Sequence, residues 1–125
     1  MSTRRETGAA AEAVARSFLE GRGYRIRAAN FACAGGELDL VAEQGGQIVF
    51  VEVRSHTSDA FGLPRESIGP GKQRRLARAA DAYLKRQRLG EVSWRFDVVE
   101  VYLDGAGKPQ HMELLTDAFT PKGVF

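Results

Sequence analysis

The chain has 125 residues, 43% hydrophobic and 27% charged, with 18 basic and 16 acidic side chains for a net charge of +2. That is the size of one domain around one buried core, and it excludes an intrinsically disordered chain. The single cysteine, Cys33, excludes an internal disulfide, and no apolar run approaches the roughly 18 residues that a membrane-spanning helix needs.

In chain order, Arg4-Arg5 precedes ETGAAAEAVARSFLEG, where Glu12 and Arg16 interrupt what would have to be the apolar core of an export signal. The expectation is a cytoplasmic protein with flexible residues 1–7 and 120–125, and with Cys33 as a small buried hydrophobe in a reducing compartment. Ala11, Val14, Ala15 and Phe18 recur with helical spacing and predict a helix over 9–20, stopped by Gly21 and Gly23. Residues 24–32 predict an irregular strand. The run GGELDLVAEQGGQIVFVEVR, Gly35 to Arg54, predicts two strands turning at Gly45-Gly46. Gly35-Gly36 most simply permits the bend before the second strand.

A loop over 56–69 follows, and Pro70 opens a second helix whose stripe is Leu76, Ala79, Ala80, Tyr83 and Leu84, closed near Gly90. Residues 94–103 predict a strand and 110–115 a short final one. The expected order is α-β-β-β-α-β with a tail, a single α/β or α+β layered domain spanning 1–125. Residues 70–90 hold seven basic side chains against Asp81, a local charge of +6 that leaves −4 for the remainder. Such polarity lets one face attract phosphate while another gathers carboxylates.

The hairpin raises the chemical question. With Gly45-Gly46 as the loop, Leu38 faces Val53, Leu40 faces Val51 and Ala42 faces Val49, an entirely apolar side. The other side opposes Val41 to Phe50, Asp39 to Glu52 and Glu37 to Arg54. Two opposed carboxylates stand with Cβ atoms roughly 4.5–5.5 Å apart and repel. A shared proton, a neighbouring cation or a divalent metal would neutralise them. Arg54 doing so alone, by pairing with Glu37 and Asp39, is the plainer alternative.

Asp39, twelve intervening residues and then Glu52-Val53-Arg54 resemble the D…(D/E)-X-K signature of the PD-(D/E)XK nuclease superfamily. Together with FGLPRESIGPGKQRRLARAADAYL and RFDVVEV, the sequence resembles the YraN-like family of bacterial proteins from about Gly8 to Phe119. The resemblance implies a restriction endonuclease-like core, a mixed central β-sheet flanked by helices. It implies Mg²⁺ or Mn²⁺ held by Asp39, Glu52 and the carbonyl of Val53, with support from Glu37 and with Glu12 contributing as in the resolvase-like branch. From the residues alone, Glu12 lies on the flank of its helix, and an i,i+4 pair with Arg16 is the plainer expectation.

One departure stands out: the family pattern has lysine where this chain has Arg54, which cannot act as a general base. Hydrolysis that is slower, that relies on metal-bound water alone, or that is absent all stay open. Lys72 and Gln73, on the sheet side of the second helix, match a polar pair of the family pattern, and Lys72 is the residue that would compensate. Arg74, Arg75, Arg78 and Lys85 would contact phosphate nonspecifically from the outer face. His56 either touches substrate or ends its strand, Asp97 is expected to make a structural hydrogen bond, and Trp94 and Tyr83 to pack the core.

The leading expectation is a DNA-binding, Mg²⁺- or Mn²⁺-dependent phosphodiesterase, with a homodimer allowed by analogy. A noncatalytic nucleic-acid-binding module of the same fold, and a protein-interaction module with a structural acid cluster, are the alternatives.

Overall fold

The structure is a computed structural model describing residues 4–64 and 66–121, with side chains from Gly8 onward. Its elements are α1 (Arg4–Gly21), β1 (Arg25–Cys33), β2 (Gly36–Gln44), β3 (Gln47–Thr57), a 3₁₀ turn (Ser58–Ala60), α2 (Pro70–Arg86), β4 (Trp94–Leu103) and β5 (Pro109–Phe119). The five strands form one mixed sheet in sequence order. β1, β2 and β3 pair antiparallel, β3 and β4 pair in parallel across the connection that carries α2, and β5 returns antiparallel. This is the predicted mixed sheet with flanking helices, compatible with a restriction-endonuclease-like core. No helix among the described residues is long and apolar enough to cross a membrane.

One helix packs on each face of the sheet, and a hydrophobic core lies beneath each. Under α1, Ala11, Ala15 and Leu19 pack on Leu40, Val49, Val51, Val99 and Val101. The buried stripe therefore runs through Leu19, while Phe18 is half-buried beneath the Arg22 guanidinium, 4.3 Å from its ring centre. Under α2, Leu76, Ala79, Ala80 and Tyr83 pack on Leu38, Val41, Phe50 and Phe96, with Cys33 and Trp94 at the margin. The core roles expected of Tyr83 and Trp94 are the ones observed.

The structure differs from the predicted elements at both ends. α1 begins at Arg4 rather than residue 9, and β5 runs eleven residues rather than six. Poor alternation after Leu115 hid the extension, because Asp117 has φ +49 beside an irregularity in the β4–β5 pairing. Of the tails expected to be flexible, 1–7 and 120–125, residues 1–3 and 122–125 lie outside the described residues, while 4–7 belong to α1.

Asp97 is fully buried and has the structural role expected. It accepts hydrogen bonds from Tyr24 Oη (2.7 Å), Arg95 Nε (2.9 Å) and the Asp117 N–H (2.9 Å). A buried charge is tolerable only when satisfied in this way, and the network ties β4 to β5 and to the α1–β1 corner.

Candidate functional site

The hairpin register is as predicted from Gln44↔Gln47 to Leu40↔Val51. Beyond it β2 changes face: Leu40 packs under α1, but Leu38 packs under α2. The expected apolar side thus holds Leu40, Ala42, Val49, Val51 and Val53 and loses Leu38. The partner strand departs from regular strand geometry at the same level, though its pairing stays in register. Asn30, between the pairs Ala29↔Leu40 and Phe31↔Leu38, has φ +55. Asp39 sits at this level, half-buried, and its carboxylate accepts the Val53 N–H at 2.8 Å. A side chain thereby takes the place of a ladder carbonyl where the strands part.

Glu52 is 8% exposed, on the α2 side of β3. Asp39 lies close enough to Glu52 for its charge to act on that carboxyl. Burial holds Asp39 above the usual carboxylate range, opposed by the Val53 N–H and by Lys72, while Glu37 pushes it further up. Burial also raises Glu52, as does the charge of Asp39, and Lys72 and Arg54 oppose the rise. Each of the two carboxyls consequently keeps its proton to higher pH than an isolated one would.

Lys72 reaches this pair from the first turn of α2, its Nζ 2.6 Å from Glu52 Oε1 with about half its side chain exposed. That turn carries no acid and has no side-chain cap, so the positive end of the helix adds to the lysine charge. The guanidinium groups of Arg75 and Arg74 come within 3.6 and 4.0 Å of the Cβ position at Gly71. Three cations therefore gather at one helix end. Lys85, in the last turn of α2, pairs with Asp81 at 2.8 Å, and the stem of Arg78 lies against Gly35.

Arg54 does not pair with Glu37 and Asp39 as the plainer alternative supposes. It donates to the Glu66 carbonyl (2.6 Å) and lies 3.6 Å from Glu100. Glu100, 2% exposed, also bonds His56. This buried glutamate was missed in the sequence; its signal is a charged residue on the alternation of Phe96, Val98 and Tyr102 within an otherwise apolar run. Gln73 turns its amide to the Ile68 carbonyl (2.8 Å) and lines a cleft of about 290 Å³ with Arg54, Val98, Glu100 and Phe119. Its role is to fix the loop over that cleft.

Glu12 is a correction to the plainer reading. Arg16 pairs with Glu20 at 3.6 Å, while Glu12 accepts a 2.9 Å hydrogen bond from Asn30. Burial raises its carboxyl against the Asn30 bond, and Asp39 and Glu37 raise it further. Glu12 thus faces the acidic end of the sheet.

Among the described residues no three His, Cys, Asp or Glu side chains converge closely enough to enclose a cation by themselves. The donor set is the carboxyls of Asp39 and Glu52 and the backbone carbonyl of Val53, on neighbouring strands. That fits a hard divalent ion, which retains several waters and takes few protein oxygens.

The model of the uncharacterised protein family UPF0102 matches residues 11–101. A UPF0102 protein of Syntrophus aciditrophicus is 44% identical over 119 residues, covering 95% of this chain and 92% of the relative. One from Moorella thermoacetica is 45% identical over 117 residues, covering 94% and 98%. A third, from Symbiobacterium thermophilum, is 47% identical over 97 residues, covering 78% and 82%. With a family match across most of the chain and relatives of this similarity and coverage, the chain belongs to the UPF0102, or YraN-like, family.

Proposed function

We propose that this chain binds DNA and hydrolyses phosphodiester bonds with Mg²⁺ or Mn²⁺. The observation that carries the reading is a pair of carboxyls, Asp39 half-buried and Glu52 8% exposed, each raised by burial, with the Lys72 Nζ 2.6 Å from Glu52 at a helix end. A structural ion pair needs one acid and one base. Two acids and a half-exposed lysine leave a site whose negative charge is completed by a divalent cation.

In this reading Asp39, Glu52 and the carbonyl of Val53 hold the ion, with Glu12 and Glu37 beside them. When bound, the ion supplies an activated water and stabilises charge on the phosphate oxygens. Lys72 exchanges Glu52 for a phosphate oxygen and takes the place of the family lysine. Arg54, held by Glu66 and Glu100, is fixed as a permanent positive charge. Arg74 and Arg75 contact flanking phosphates, and Arg78 and Lys85 extend the basic face.

The test is cleavage of labelled single strands, duplexes, flaps and four-way junctions in Mg²⁺ or Mn²⁺, by wild type and by an Asp39→Ala/Glu52→Ala variant purified in parallel. Cleavage by wild type alone is expected. Folded wild type that binds DNA and cuts none of the panel identifies a noncatalytic module. Absence of binding at low salt leaves the protein-interaction alternative.

A further inference from the structure

We propose that Phe61 and His111 form a stacking platform for an unpaired nucleobase of the strand whose phosphodiester lies at Asp39 and Glu52. The proposal rests on the phosphodiesterase reading and adds a base-binding subsite to it. Three cross-strand rows share the α2 face of the sheet: Glu52↔Val98↔Leu115, Arg54↔Glu100↔Glu113 and His56↔Tyr102↔His111. At about 3.3 Å per residue, the third row lies roughly 13 Å along β3 from Glu52.

The cover over these rows changes along the strand. Glu66, Ser67 and Ile68 border the cleft over the first two rows. Over the third row stands Phe61, stacked on His111 with ring centres 3.9 Å apart and planes 10° apart, and edge-on to Tyr102 at 5.2 Å. Tyr102 is itself stacked on His56 at 4.9 Å. Phe61 is thus braced by rings and yet 43% exposed, beside Leu63 at 61%.

An aromatic side chain held flat and left open matches the π-face of a base, which stacks with little regard to its identity. The base must be unpaired and unstacked from its neighbour, since duplex faces are already covered. Glu100, in the row between, is 2% exposed and matched by Arg54 and His56, so its charge does not face the strand. On the other side of Glu52 the helix end supplies the cations that suit the backbone. A second copy of the chain suits the patch less well: two side chains fall far short of the roughly 800 Å² per partner of a stable interface.

The test is fluorescence anisotropy of a short labelled single strand and of the same backbone carrying abasic residues, in EDTA and again in Ca²⁺. The proteins are wild type, Phe61→Ala and Phe61→Tyr, with melting curves to show that each is folded. The intact strand is expected to bind wild type about 10-fold more tightly than the abasic one, the scale of one stacked base. Phe61→Ala abolishes that difference and Phe61→Tyr retains it. Equal binding of both strands by wild type, or a difference that survives Phe61→Ala, overturns the platform and leaves the phosphodiester site standing. Failure to bind either strand overturns the platform, and the cleavage panel with duplexes, flaps and junctions decides the phosphodiester site separately. A dimer that Phe61→Ala dissociates, without discrimination between the strands, assigns the patch to a second copy and overturns the platform.

Discussion

Glu52→Gln is expected to lower metal-dependent cleavage by about 10³-fold or more while leaving the metal-free protein at neutral pH as stable as wild type or more so. The first effect follows from losing one of two charged ligands, since an amide neither completes the charge nor holds a hard cation as well; several kcal/mol of charge stabilisation corresponds to that rate factor. The second follows from linkage. Glu52 ionises above its ordinary value of 4.5 in the folded chain, because of burial and then the charge of Asp39. Between that value and the raised one, the folded state binds more protons than the unfolded state, so stability falls as pH rises through the window.

Below about pH 4.5 the glutamate is neutral in both states, and the glutamine variant and wild type should melt together. The variant should gain on wild type as pH rises above that point. Lys72 loses its partner but is half exposed, so it returns to solvent at little cost. Single-turnover cleavage and melting curves from pH 4 to 8 measure both effects. A variant that melts progressively below wild type towards pH 8 would show that Glu52 is a structural partner of Lys72.

Gly36→Ala is expected to destabilise the fold by about 3 kcal/mol, at the upper end of overpacking costs. A Cβ at Gly36 would lie 2.4 Å from the carbonyl oxygen of Arg75 and 3.0 Å from its carbon. Both atoms are backbone in α2, so the clash is relieved only by lifting the helix from the start of β2. Since domains are stable by roughly 5–15 kcal/mol, the melting temperature should fall by about 10 °C. Gly35→Ala meets the side chain of Arg78 at 3.0 Å, which is freer to move, and should cost less. Gly105→Ala, in an exposed turn with no neighbour within 4 Å, is the control that should melt like wild type. If Gly36→Ala melts within about 2 °C of that control, the close packing of turn on helix is wrong. Because that contact seats the helix bearing Lys72, the same variant should also lose activity before it unfolds.

Much of the site was legible because strand and helix periods are local. Gly45-Gly46 set the hairpin register, alternation placed Glu52 and Arg54 on one side, and helical spacing turned Lys72 towards the sheet. What was not legible depends on neighbours remote in sequence. The change of face at Asp39 needs Asn30 in a left-handed conformation on the adjacent strand. The partner of Arg54 is Glu100, brought beside it by parallel pairing 46 residues away. Glu12 prefers Asn30 to Arg16 because β1 passes under α1, whereas helix geometry alone offered only the i,i+4 partner. Gly36 reads as a bend in sequence and as a close approach to a helix in space.

The most direct measurement of the central claim is calorimetric titration of Mn²⁺ into wild type and into Asp39→Ala/Glu52→Ala, near pH 6 in two buffers of different ionisation enthalpy. The account predicts saturable Mn²⁺ binding to wild type and loss of that binding in the variant, with proton release that grows as the pH is lowered, because both carboxyls hold their protons above the usual range. Equal binding by both proteins, or none by folded wild type, would contradict a metal site at Asp39 and Glu52.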